Sequence, residues 1–93
     1  MQIPAAFNMM CQWMDHEIRD ISEEARRDPV AYALARLSAG EKSDIKAFLT
    51  DRLGAGLSGD ELQAMFRRSS VRFYIPDNEQ LRGFFTEIVR QIG

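Results

Sequence analysis

The pentad HEIRD, His16 to Asp20, opens like the HExxH helix of zinc proteases, where two histidines one turn apart hold the metal and the glutamate acts as general base. Here the fifth position is Asp20, and His16 is the one histidine of the 93 residues. His16 and Asp20 can offer two ligands on one helix face, but two do not close a zinc site. No metal is expected, and a solvent-facing histidine is the simpler reading. Nucleophilic chemistry has equally little to start from. Cys11, the single cysteine, sits among Met10 and Met14 in an apolar stripe, where a thiol packs as a small hydrophobe and its pKa rises. Ser38 and Ser58 are each followed three residues on by a glutamate and read as helix caps rather than nucleophiles. GAGLSGDE, residues 54–61, lacks the lysine that completes a phosphate-binding loop. The sequence therefore predicts a protein that is not an enzyme and carries no cofactor.

Arg67, Arg68 and Arg72, beside Phe73 and Tyr74, are the one basic and aromatic cluster, suited to phosphates and stacked bases. Arginines also belong at the end of a helix, where they meet the negative pole of its dipole. The net charge of -2 argues against a strongly basic nucleic-acid binder, so direct nucleic-acid contact is not expected. The charge is unevenly spread: residues 1–51 carry nine acids and six bases.

These residues need elements to position them. Hydrophobic residues at 45% and charged residues at 28% are the balance of a globular chain, and the length suits one core. No apolar run approaches the roughly 20 residues that span a bilayer, and MQIPAAFNMM lacks the basic start and apolar centre of a signal peptide. With one cysteine and so no internal disulfide, a cytoplasmic location without membrane association is expected.

Phe7, Met10, Cys11, Met14, Ile18, Ile21 and Ala25 recur in steps of three and four, predicting a helix over 7–25 with one buried stripe. Asp28 then Pro29 starts a second helix over 29–37. Ser38 with Glu41, Ser58 with Glu61 and Asp77 with Gln80 open helices over 39–53, 59–69 and 78–92. The segment 70–76 reads as an extended connector or a frayed helix end, with Phe73 facing the core. The expectation is an all-α, compact single-domain bundle of about five helices spanning 1–93.

On a helix over 7–25, Trp13, Asp20 and Glu24 fall roughly 240° around from the core stripe, flanked by Glu17 and His16. The adjacent Asp15, His16 and Glu17 fan out and cannot converge on one atom. Asp15 and Glu23 each have an arginine four residues on, Arg19 and Arg27, in the favourable acid-first order. Asp20 and Glu24 instead repel one another, which costs a helix a few tenths of a kcal/mol. An aromatic anchor ringed by unpaired acids suits a basic partner, and Trp13, Glu17, Asp20 and Glu24 are the candidate partner-binding residues. The alternative is that the N-terminal segment or the second helix covers Trp13, leaving a plain acidic outer face.

LSAGEKSDIKAFLTDRL, SGDELQAMF and FYIPDNEQLRGFFTEI, as a series over residues 37–92, resemble the small helical immunity proteins of bacterial contact-dependent growth inhibition, the CdiI type. The resemblance implies a non-catalytic cytoplasmic protein that binds the C-terminal toxin domain of a cognate CdiA protein and covers its active or substrate-binding surface. Such toxins are often nucleases, which present basic residues to phosphates, so an acidic inhibitor is the expected complement. Two other readings stand beside it: a helical interaction or regulatory module, and a small nucleic-acid-binding domain using Arg67, Arg68 and Arg72.

Overall fold

The computed structural model describes residues 3–69, 71 and 73–93, leaving aside the side chains of His16 and Arg19. The helical segments run α1 (Ala5–Trp13), α2 (His16–Ile21), α3 (Glu23–Arg27), α4 (Pro29–Leu34), α5 (Ala39–Gly54), α6 (Gly59–Arg68) and α7 (Asn78–Ile92). No strand occurs among the described residues, and the fold is all-α. A radius of gyration of 12.5 Å matches the roughly 12 Å of a folded chain this long.

The sequence's helix starts are realised as hydrogen bonds. Ser38 and Ser58 each accept from the backbone of a glutamate three residues on, whose carboxylate accepts in return from the serine's own N–H. Asp28 accepts from Ala31 N at 3.1 Å with Pro29 at the first helical position, and Asp77 accepts from Gln80 N at 2.9 Å. Gly56, with φ of 71°, takes the left-handed conformation in the turn after α5. The helix expected over 29–37 is shorter, ending at Leu34, and the chain reaches Leu37 through a turn that still buries it.

One helix over 7–25 does not form. The chain breaks after Trp13 and again at Ser22, because Asp15 and Ser22 turn their side chains onto the backbone ahead. Asp15 accepts from Glu17 N at 3.0 Å and Ser22 from Ala25 N at 3.3 Å, each starting a new segment where a continuous helix would have run. Phe7, Met10, Cys11, Met14 and Ala25 of the expected stripe are buried. Ile18 is only half-buried and Ile21 is 87% exposed, so the expectation that both face the core is corrected.

The core lies between α1, α4, α5, α6 and α7. Its centre is aromatic: Phe66 meets Phe73, Phe84 and Phe85 edge-on at 5.6 to 5.9 Å, and Phe7 joins Phe48 and Phe85. Such pairs add about 0.5–1.5 kcal/mol each beyond area burial. Of the connector at 70–76, Ser70 and Arg72 lie outside the described residues; Val71 and residues 73–76 are neither helix nor strand. Phe73 packs against the core as expected. Gln63, buried in α6, pins the connector by donating to the carbonyls of Ile75 at 2.7 Å and Pro76 at 3.2 Å.

Candidate functional site

Trp13 closes α1, and its indole is 37% exposed. The covering comes from one side, by α4 and the turn after it. The Tyr32 ring meets the indole edge-on at 6.4 Å, and the Arg36 guanidinium lies over Tyr32 at 3.3 Å and within 5.5 Å of the indole. Arg36 also donates to the Tyr32 carbonyl at 2.7 Å, so the stack is anchored to backbone. Cation–π contact at such an exposed place contributes about 0.5–1 kcal/mol. On the other side Trp13 borders an open hollow of about 420 Å³ shared with Met9, Gln12 and Ile18. The indole is thus held from behind by this chain and open in front.

Glu17 and Asp20 stand on α2, both exposed. Asp15 starts that helix, and none of its described side chains is fully buried. Glu24 belongs to α3 and opens onto a second hollow, of about 290 Å³, with Arg27, Asp28, Ala31, Tyr32, Ala35 and Arg36. The ridge of Trp13, Asp20 and Glu24 expected on one straight helix is therefore divided. Glu17 and Asp20 share α2, and Glu24 reaches Trp13's neighbourhood through Tyr32 and Arg36, which border both the indole and the second hollow.

Among the described residues, Glu17, Asp20 and Glu24 make no side-chain ion pair or hydrogen bond; Asp20 engages only its carbonyl, which accepts from Arg26 at 3.0 Å. Glu23 pairs with Arg27 at 3.3 Å as expected, both so exposed that the pair is worth a fraction of a kcal/mol at most. The Asp15–Arg19 pair involves a side chain outside the described set, as does the pairing of His16 with Asp20. Among the described residues no three histidine, cysteine or acidic side chains gather where a metal ion can be held.

Sequence reasoning missed Met9, Ile18 and Ile21. Among the described residues, Met9 at 38% exposure, Trp13 and Ile21 are three of the four large hydrophobic residues most open to solvent, the fourth being Tyr74. A signal was present: Asp15 and Ser22 are residue types that start helices, although neither falls on the apolar stripe.

The other candidate chemistry is placed as follows. Cys11 is buried, its thiol facing Ser69 Oγ at 3.8 Å, and burial pushes its pKa up to about 12. Arg67 and Arg68 are exposed in the last turn of α6, against the negative end of its dipole, and Arg72 lies outside the described residues. A hollow of about 420 Å³ beneath the connector, walled by Met14, Val30, Phe73, Tyr74, Ile75 and Phe84 among others, is apolar.

No helix among the described residues is long and apolar enough to cross a membrane. No protein-family model, curated protein or solved structure matches the chain.

Proposed function

We propose that this chain is a non-catalytic immunity protein that binds a basic toxin domain, in the manner of the CdiI proteins its residues 37–92 resemble, and covers the toxin's active or substrate-binding surface. The observation that carries the reading is Trp13, backed by Tyr32 and Arg36 yet open in front, with Glu17 and Asp20 exposed on α2 and without a side-chain partner among the described residues. A desolvatable aromatic supplies affinity, while the acids raise the association rate and select for positive charge. Glu24, across Tyr32, extends the acidic surface. The absence of catalysis is supported by the use of the serines: Ser38 and Ser58 spend their hydroxyls on helix caps. The proposed site of action is the cytoplasm, where a nuclease toxin meets its substrate.

The reading predicts a toxin gene directly upstream of this chain's own, and the test is binding to the C-terminal domain that gene encodes. Glu17→Lys combined with Asp20→Lys should slow association by about tenfold or more, with the difference shrinking as salt is raised. Both positions are exposed, so the fold should tolerate the change. Unchanged association kinetics by surface plasmon resonance would sink the assignment of this face.

A further inference from the structure

The break at Asp15 turns α2 so that it carries two kinds of surface side by side. At about 100° per residue, Asp20, Glu17, Ile21 and Ile18 follow one another around less than half of the helix. Two acids thus border two isoleucines, and Ile18 continues the apolar strip across the hollow to Met9 and Trp13 of α1. Ile21 at 87% exposure gains nothing from the fold of this chain.

We infer that this strip docks an amphipathic helix of a protein partner, its aliphatic face in the hollow between α1 and α2 and its lysines or arginines against Glu17 and Asp20. The inference rests on the reading of the acidic face as the partner surface, and it adds what fills the hollow. Apolar strips rimmed by charge mark interaction sites, and a groove between two helices accepts a third helix by its aliphatic side. The charge selects the occupant. A second copy docking face to face would gather both copies of Glu17 and Asp20 into one interface with no base among the strip's described residues to offset them, and an anionic lipid surface would be repelled by the same charges. A basic helix meets both features at once. Tyr32 and Arg36, holding the indole from behind, leave less side-chain freedom to be lost when the partner arrives.

Trp13 is the single tryptophan, so its emission reads occupancy of the hollow directly in the full chain. The probe is a synthetic leucine/lysine amphipathic helix of about four turns. Leucine/glutamate and glutamine/lysine versions serve as comparisons. The leucine/lysine peptide should shift Trp13 emission to the blue and saturate; the other two should bind at least about tenfold more weakly. Ile21→Asp, at a side chain already in solvent, should weaken the leucine/lysine peptide by about tenfold or more with the circular dichroism spectrum unchanged. Three results overturn the inference: no emission change with the leucine/lysine peptide, equal binding of the glutamine/lysine peptide, or an emission shift with protein concentration alone that Ile21→Asp abolishes. The last would assign the strip to a second copy. With the toxin domain as ligand, the two readings separate. Loss on Glu17→Lys and Asp20→Lys with full retention in Ile21→Asp would overturn the helix-docking inference and leave the acidic reading standing.

Discussion

At the scale of single residues, the chain's most eye-catching chemical groups are spent on structure. Cys11 shows this most plainly. Its thiol is enclosed by the core, and the environment opposes the thiolate strongly enough to move the pKa from 9.0 to about 12. In the folded protein the thiol stays protonated through the range where an exposed cysteine ionises. Thiol reagents near neutral pH should therefore modify it at a rate limited by unfolding rather than by their own reactivity, which a labelling time course followed by mass spectrometry reads out. The same shift links pH to stability. Because the folded pKa lies above the unfolded one, the contribution is complete below about pH 9 and is lost as pH climbs toward 12. Chemical denaturation across that interval should show a loss of stability that Cys11→Ala, less stable at neutral pH, lacks. Gln63 is the other buried group with a structural task. Its amide N–H groups hold two successive carbonyls of the connector, while its Oε1 is buried without a partner among the described residues, an unmet acceptor that lessens the net value of the latch.

At the scale of elements, capping decides where this chain changes direction. Replacing Ser22 with alanine removes the acceptor for Ala25 N and should cost about 0.5–2 kcal/mol if the break is required for packing, measured by urea unfolding. A smaller loss with increased helical circular dichroism would mean that α2 and α3 can fuse. The helix starts at Ser38, Ser58 and Asp77 were legible because each is followed three residues on by Glu or Gln, and Asp28 because proline follows it. Asp15 and Ser22 were not, since Ile18 and Ala25 stand at the corresponding positions and the apolar periodicity runs straight through them. Periodicity describes what a helix can bury if it is unbroken; it does not weigh a side chain that offers the backbone another partner. The same omission hid the exposed isoleucines. Trp13, Glu17 and Asp20 were legible as non-core residues because their positions on the wheel survive within short segments, whereas the alignment of Glu24 with Trp13 needed the whole helix.

At the scale of the molecule, the helices differ in what holds them. The packed body of α5, α6 and α7, with α1 and α4 against it, contains the interlocked phenylalanines and nearly all the fully buried side chains. The segments α2 and α3 lie outside that body, and between them they bury only Ala25 among the described residues. A six-residue helix is far too short to persist on its own propensity, so α2 depends on its cap and on the contacts of its neighbours. The proposed docking surface is built on the part of the protein least committed to the core.

That arrangement has a dynamic consequence. Amide protons of residues 16–21 should exchange with solvent deuterium through local opening, orders of magnitude faster than those of Ile45 and Leu49 in α5, whose release requires opening of the core. A partner seated on α2 must hold that segment closed, so part of its binding energy goes into ordering the segment and appears as slowed exchange. Exchange mass spectrometry on the free and bound protein would locate the footprint by the amides it quiets, whichever side chains make the contact.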